Sequence, residues 1–353
     1  MTSQSPTFAL KKWPEDSLEK VDACPVCGGE DAKRLEEGLL DFMSEPANGP
    51  WSINACQVCG VAYLTPRPDR ESIGEAYRHY YTHTLKKDDL VHSCFRSIRS
   101  FLAEKYYATA SGSGSFLDRA LYLLIKLLFP LSLYFDAKSR HIFSLKKQPG
   151  KLLDIGCGNG EFLKFADRYG WRVVGVDFDA EAVKQARSCG LDVRMGDVNA
   201  IDRAERYDFI TLSHVIEHVY DPVELLRSCY GLLNDGGVLW LETPNIESMG
   251  YAYYKSNWRG LEPPRHIMLF NIKSLNEVFL KAGFQMIEQK NHGLSGVYMG
   301  LSSERILSKS EPCGSWIRCT VRKILKLLRI LSLEIIQLSS KRRREFLTVS
   351  ATR

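Results

Sequence analysis

Lys151-Leu-Leu-Asp-Ile-Gly-Cys-Gly-Asn-Gly-Glu161, followed by Trp171 to Asp179, is the stretch that decides the fold. Leu152, Leu153 and Ile155 form a short apolar run suited to a buried strand, and Gly156, Gly158 and Gly160 form a turn. Glycines there let the backbone enter φ > 0 and let a ligand lie against bare peptide groups. Val173, Val174 and Val176 read as a second buried strand that ends on Asp177. Asp177 stands 21 residues past Gly156. One strand–turn–helix–strand unit of that length sets an acid beside a ribose. The reading is a nucleoside site at the carboxyl edge of a parallel sheet.

The glycine spacing narrows the ligand. Dinucleotide sites use Gly-x-Gly-x-x-Gly, which docks a pyrophosphate on a helix N-terminus. Here the spacing is Gly-x-Gly-x-Gly, flanked by Asp154 and Glu161. Carboxylates there repel phosphates and suit a ligand carrying a sulfonium and an ammonium. The stretch resembles motif I of class I S-adenosylmethionine-dependent methyltransferases, and later segments fall where that family places them. Val193-Arg-Met-Gly-Asp-Val-Asn199 looks like the third strand with its acid, Asp197. Tyr207 to Pro222 looks like the fourth strand and the loop under the methionine end, and Asp235 to Asn245 like the fifth strand. Ser274 to Glu288 looks like a helix capped by Ser274 and stopped by Gly283, leading into a sixth strand. Arg344 to Arg353 alternates like the antiparallel last strand. The resemblance covers roughly 146 to the C-terminus. It implies an α/β fold, a Rossmann-like seven-stranded class I methyltransferase sheet. It also implies an S-adenosyl-L-methionine site at Asp154, Gly156, Gly158, Gly160, Asp177, Phe178, Asp197, Val198 and Ser213.

A second signal lies far upstream. Cys24-Pro-Val-Cys27-Gly28 and Cys56-Gln-Val-Cys59-Gly60 are two Cys-x-x-Cys-Gly knuckles separated by 28 residues. Four thiolates so arranged suit a closed tetrahedral Zn2+ site with no open position for chemistry. Residues 23 to 65 are too few to bury a strong core alone, so metal binding supplies folding energy. The expectation is an N-terminal four-cysteine zinc ribbon with structural zinc. Ten cysteines without a visible signal peptide agree with reduced thiols and a cytoplasmic location. The other six, Cys94, Cys157, Cys189, Cys229, Cys313 and Cys319, show no ligand spacing. The expected domains are a ribbon over 1–68, a helical linker or cap over 69–145, and the methyltransferase domain over 146–353 with a helical insertion at 305–343.

Between ribbon and sheet, Leu64-Thr-Pro-Arg-Pro-Asp69 is a rigid linker, and 71–82 reads as a short helix carrying Tyr77, Tyr80 and Tyr81. Zinc-ribbon methyltransferases of bacterial glycan and small-molecule pathways are similar here, which implies tyrosines near the cofactor or over the acceptor. Two segments exceed a minimal domain. Residues 116–143, centred on 121–135, are apolar on nearly every face, so they are either buried or set into lipid, with Lys126 and Pro130 as interruptions. Residues 315–344 carry a stripe of Ile317, Val321, Ile324, Leu328, Leu331, Ile335 and Leu338. They also carry nine bases against one acid, Glu334, a local +8 in a chain of +5. Such a helix suits an anionic membrane surface, a homodimer seam or a packed intramolecular helix.

Chemistry should sit in the loops above the carboxyl edge. Methyl transfer from a sulfonium needs an aligned acceptor and a base for its proton, and histidine titrates in the right range. The candidates are His214, Glu217 and His218 after the fourth strand and His266 in Trp258 to Phe270. If 213–218 begin a helix, His214 and His218 share one face. No third ligand lies near them in sequence, so a metal there is not expected. The aromatics Tyr251, Tyr253, Tyr254 and Trp258 suit stacking on a sugar ring. The resulting expectation is O-methylation of a small molecule or glycan, including a lipid-linked saccharide, by a histidine base. The alternative is a ribosomal-RNA or other nucleic-acid methyltransferase. Residues 1–65 lack the basic face that a nucleic-acid partner requires, so no nucleic acid is expected.

Overall fold

The computed structural model describes residues 12–42, 49–77, 90–146, 148–309 and 316–353. The N-terminal part contributes β1 (Leu18–Glu19), β2 (Ala32–Leu39), β3 (Trp51–Cys56), β4 (Ala62–Leu64) and β5 (Arg67–Pro68), with β1 pairing β5. Four helices follow: α1 (Leu90–Ala110), α2 (Phe116–Leu127), α3 (Phe129–Lys138) and α4 (Ile142–Leu145). Then comes the alternating unit of β6 (Lys151–Ile155), α5 (Glu161–Arg168), β7 (Arg172–Asp177), α6 (Ala180–Ser188), β8 (Val193–Met195), β9 (Tyr207–Ser213), α7 (Pro222–Leu232) and β10 (Leu233–Pro244). The chain continues through α8 (Met249–Tyr254), β11 (Met268–Leu269), α9 (Ile272–Ala282) and β12 (Glu288–Gln289). It ends with α10 (Ser295–Lys309), α11 (Trp316–Ser339) and β13 (Phe346–Thr352).

The seven-stranded sheet has the order β12-β13-β10-β9-β6-β7-β8. Neighbours from β10 to β8 are parallel, and β13 runs antiparallel to both β10 and β12. Strand order reverses between β6 and β9, the place where doubly wound sheets leave a crevice at their carboxyl ends. Leu152, Leu153, Ile155, Val174, Val176, Ile210 and Leu212 are buried, as strands covered on both faces require. Helix α5 starts at Gly160, with φ of +76°, and a Cβ there would meet Leu191 Cδ1 at 2.4 Å. Only glycine allows that helix to sit so close to its neighbour.

The upstream strands are not a separate appendage. Strand β11 pairs antiparallel with β4 (Met268 with Tyr63, Leu269 with Ala62), completing a four-stranded sheet β11-β4-β3-β2. Cys24, Val26, Cys56, Cys59, Val61 and Tyr63 share one apolar cluster with Leu275, Val278 and Phe279 of α9.

Two expectations change, and the alternatives for α11 narrow. Helix α9 is capped by Asn271; Ser274 sits at its third position and closes a capping box with it. A side chain that reaches both backbone groups starts the helix earlier than its first serine. The 71–82 helix is a single 3-10 turn, Ile73–Tyr77, and residues 78–89, with Tyr80 and Tyr81, lie outside those described. The described part of the α11 stripe is open, as the membrane-surface and homodimer readings require. Leu328, Leu331 and Ile335 are exposed, whereas Ile330, Leu333, Glu334 and Gln337 are buried. Glu334 accepts from Leu294 N (2.8 Å) and Val297 N (3.2 Å), capping the start of α10. Orphan amides of a buried helix start need an acceptor, and that need rotates α11 away from its periodicity.

Helices α2 and α3 pack Ile125 and Phe135 against Tyr106 and Tyr107 of α1. The other face of α2 stays open: Phe116 is 85% exposed and Leu127 81%. Among the described residues no single helix is long and apolar enough to cross a membrane.

Candidate active site

A cavity of about 940 Å³ opens at the carboxyl edge of the sheet, between the ends of β6, β7 and β9 and the loop before β11. Gly156, Gly158, Asp177, Phe178, Asp197 and Val198 line it on one side. Gly158 has φ of +54°, and nothing lies within 4 Å of where its Cβ would stand, so bare backbone meets open space. Asp177 ends β7 and accepts from Gly158 N (2.7 Å) and Asp179 N (2.9 Å). Burial pushes its carboxyl above the usual range despite those two amides. A half-compensated carboxylate beside a bare glycine turn fits vicinal ribose hydroxyls, which donate to it.

Asp154, Gly160 and Ser213 are not part of the cavity wall. Asp154 is fully buried under the turn, paired with Arg140 and accepting from Thr211 Oγ1 (2.7 Å). As the fourth residue of β6 it is closed off from the cavity and engaged with Arg140 and Thr211 inside the sheet. Gly160 meets helix α6, and half-buried Ser213 stops one residue short of the cavity.

The opposite wall is a cluster of histidines and glutamates. His214 stands directly after β9 with φ of +55°, and Ile216–His218 form a 3-10 turn. His214 and His218 therefore do not share a helix face; the left-handed residue swings His214 outward into the cavity. His214 Nδ1 lies 3.1 Å from Oε1 of fully buried Glu217, and Thr243 Oγ1 donates to Glu217 Oε2 at 2.9 Å. Burial lowers the His214 pKa, but Glu217, Glu242 and Glu262 together raise it above its ordinary value. Glu217 is held down at about 2: burial pushes it up, and the surrounding histidines outweigh that. His266 is buried and drops to about 4, so it is neutral near pH 7. Its Nδ1 is 2.7 Å from the Gly260 carbonyl. His218 Nδ1 is 2.9 Å from the Arg265 carbonyl and 3.0 Å from the Tyr77 hydroxyl.

Arg265 holds this wall from behind. Fully buried, it makes two bonds to Asp41 (2.6 and 2.8 Å), one to Glu262 (3.0 Å) and one to the Ala76 carbonyl (3.0 Å). Glu262, paired also with Arg259, stays well below the usual carboxylate range: burial raises it and His266, Arg259 and Arg265 outweigh burial. The aromatic platforms read from sequence are elsewhere. Trp258 is buried and donates to Glu345 (2.7 Å), Tyr251 donates to Glu36, Tyr254 donates to Glu304, and Tyr253 lies outside the cavity under Arg329. The Tyr251 and Tyr254 hydroxyls and the Trp258 indole N–H are thus engaged with carboxylates away from the cavity, as half-buried aromatics often are. The aromatic lining comes from Tyr77, Phe178, Tyr220, Tyr298 and Phe346. Tyr298 and Phe346 belong to α10 and β13, and no motif marks them in the sequence.

Residues 132–289 match the family described as "Methyltransferase domain". The chain carries a methyltransferase domain. The matched span holds Gly156, Gly158, Asp177, Asp197, His214, Glu217, His218 and His266, whereas Tyr77, Tyr298 and Phe346 reach the cavity from outside it. Among similar proteins is the ubiquinone biosynthesis O-methyltransferase of Actinobacillus pleuropneumoniae serotype 5b (strain L20). It is 35% identical over 140 residues, 36% of this chain and 58% of that protein. The protein of the same name from Xanthomonas campestris pv. campestris (strain B100) is 35% identical over 113 residues, 30% of this chain and 47% of that one. The chain thus spans about half the length of the curated relatives it matches. Among solved structures, an S-adenosylmethionine-dependent methyltransferase from Archaeoglobus fulgidus has 22% identity over 62% of this chain and 92% of its own, with a TM-score of 0.41. One from Mesorhizobium loti has 19% identity over 60% and 96%, with a TM-score of 0.39.

Outside the methyltransferase domain, the two knuckles bring four free thiols together. Cys24 Sγ lies 3.5 Å from Cys59 Sγ, Cys27 Sγ lies 3.5 Å from Cys56 Sγ, and all four lie within 4.8 Å of one another. Gly28 N donates to Cys24 O (2.8 Å) and Gly60 N to Cys56 O (3.0 Å), so the knuckles repeat one turn. Sulfurs at about 2.3 Å from a tetrahedral zinc are separated by about 3.8 Å, so this donor set fits the metal.

Proposed function

We propose that this protein transfers the methyl group of S-adenosylmethionine to a hydroxyl oxygen of a small aromatic acceptor, with His214 as general base. The observation that carries the reading is that His214, backed by buried Glu217, lines the same cavity as Gly158 and Asp177. S-adenosylmethionine, when bound, supplies a methyl group on an electrophilic sulfonium. Asp177 holds the ribose hydroxyls, Asp197 meets the adenine, and the bare turn at Gly158 lets the nucleoside lie flat. Glu217 accepts from His214 Nδ1, which fixes the tautomer and leaves Nε2 to take the acceptor's proton. Bond formation from oxygen to methyl carbon accompanies loss of the sulfur–carbon bond, leaving S-adenosylhomocysteine and a methyl ether.

The aromatic lining supports a planar acceptor, as does the name of the O-methyltransferases similar to this chain. A glycan acceptor loses its stacking surface with Tyr251, Tyr253, Tyr254 and Trp258 outside the cavity. The reading also includes one structural Zn2+ on Cys24, Cys27, Cys56 and Cys59, and an anionic membrane surface met by the exposed stripe of α11. Transfer of tritiated methyl to phenols, lipid-linked saccharides and RNA tests the acceptor class. Phenol labelling is expected, and labelling of RNA alone overturns the reading. His214→Asn is expected to lower kcat by about 10²–10⁴-fold with S-adenosylhomocysteine affinity unchanged.

A further inference from the structure

The wall opposite the nucleoside cradle holds a second set of ligands. A ring nitrogen from each of His218 and His266 and a carboxylate oxygen of Glu217 lie within 4.8 Å of one another. We propose that Glu217, His218 and His266 bind a divalent transition-metal ion inside the methyltransferase cavity, where it meets the acceptor's hydroxyl oxygen. The binding claim stands on these residues alone; the role in the reaction rests on the methyltransferase reading above.

The hydrogen bonds fix the tautomers. A backbone carbonyl only accepts, so His266 Nδ1 carries a proton toward Gly260 O (2.7 Å), and His218 Nδ1 carries one toward Arg265 O (2.9 Å), shared with the Tyr77 hydroxyl oxygen at 3.0 Å. Both rings therefore keep the Nε2 lone pair. Imidazoles pinned through Nδ1–H to carbonyls are oriented as metal ligands usually are. Glu217 is oriented too, by His214 Nδ1 (3.1 Å) and Thr243 Oγ1 (2.9 Å), and each of its oxygens keeps a lone pair. His266 Nε2 also faces Glu262 Oε2 at 3.6 Å. A lone pair turned toward a carboxylate in a buried site is unfavourable, and a cation bound at Nε2 reverses the sign. Ligands about 2.1 Å from one ion lie about 3–4 Å apart, so a small closure of the three side chains completes the site.

Two imidazoles and a carboxylate favour Zn2+, Mn2+, Co2+ or Fe2+ over Mg2+ or Ca2+, which want oxygen ligands. Three protein ligands leave positions for an acceptor oxygen. Coordination there makes the hydroxyl more acidic, as it does for metal-bound water. The proton passes to His214 Nε2, the oxygen bonds the methyl carbon as the sulfur–carbon bond breaks, and the metal keeps its oxidation state.

The probe is Mn2+, which has little affinity for the four thiolates, titrated by electron paramagnetic resonance into the full chain with its cysteine site zinc-loaded. One equivalent is expected to bind. His218→Ala and His266→Ala are each expected to weaken binding at least tenfold, while S-adenosylhomocysteine affinity shows that each variant is folded. No binding of Mn2+ or Co2+ by a chain that binds S-adenosylhomocysteine overturns the proposal, and so does binding equal in both variants and wild type. Methyl transfer at full rate with the cavity metal removed overturns the role in the reaction and leaves the methyltransferase reading standing. Metal binding without transfer to any acceptor supports the site and counts against that reading instead.

Discussion

His214 shows how much one residue's surroundings decide. Its backbone lies in the left-handed region, its Nδ1 faces a buried carboxylate, and three glutamates hold its pKa above the ordinary histidine value. Glu242→Gln removes one of those charges and leaves the proposed metal ligands in place, so the His214 pKa falls. The rising limb of the kcat–pH profile is therefore expected to move to lower pH in Glu242→Gln, and an unmoved limb assigns the base elsewhere. Glu345 gives a second, independent titration. Burial raises it to about 7, even though Trp258, Gly250 and Gln337 donate to it. Its folded pKa exceeds its unfolded one, so its contribution to stability is full below about pH 4.5 and is lost as pH rises through 7. The loss is on the order of 3 kcal/mol. Thermal denaturation between pH 5 and 8 checks it: Glu345→Gln is expected to flatten the fall in Tm seen in the wild type. The sequence marks Asp177 because one structural unit sets its distance from the glycines. It marks neither the partner of His214 nor the burial of Glu345, which depend on segments that meet only in the folded chain.

Among elements, the ribbon strands are tied to the cavity more closely than their spacing implies. Two knuckles are legible because each is a local turn, and β6, β7, β9 and β10 because each holds an apolar run; β12, Glu288–Gln289, has no apolar residue and is placed only by the resemblance. Strand β11 joining β4, and Asp41 reaching Arg265, are illegible because no periodicity links residues more than 200 apart. The sequence places the ribbon outside the nucleoside site, so chelation should spare cofactor binding. The Asp41–Arg265–Glu262 chain adds that chelation should not spare the acceptor side. Removing the zinc proposed at the four cysteines, with Mn2+ kept in excess for the cavity, is expected to raise KM for the acceptor and lower kcat, with a smaller change in S-adenosylhomocysteine affinity measured by calorimetry. Asp41→Asn isolates the link. Breaking one partner of a buried pair costs about 3–5 kcal/mol, and this variant is expected to reproduce the chelation phenotype with the metal still bound. An Asp41→Asn chain of wild-type stability and KM would show that the ribbon only flanks the site.

For the whole molecule, the question is what covers its open apolar faces. Helix α11 turns Leu327, Leu328, Leu331 and Ile335 outward, at 56%, 58%, 45% and 68% exposure, because Glu334 and Gln337 are engaged below. Helix α2 turns out Phe116, Leu117, Leu124 and Leu127. Exposed runs of this kind mark an interaction surface. The exposure of Leu328 and Leu331 shows that the 121–135 segment does not cover them; α11 packs on the chain through Ile330, Leu333, Glu334 and Gln337 instead. A bilayer and a second copy of the chain remain, and the local +8 of 315–344 favours an anionic bilayer. Lys326 and Arg329 already pair with Glu304, Arg342 pairs with Glu247, and Arg344 is buried, so the headgroup contacts fall to the other bases. Removing Arg318, Arg322, Lys323 and Arg343 together should therefore largely abolish adsorption, since each base near the surface adds about 1 kcal/mol. Leu328→Ser with Leu331→Ser should weaken it through the apolar term, with less dependence on salt. Sedimentation with anionic and neutral vesicles at two ionic strengths reads both effects. A protein that stays in the supernatant with anionic vesicles, and whose mass doubles in light scattering unless Leu328 and Leu331 are changed, assigns this face to a homodimer.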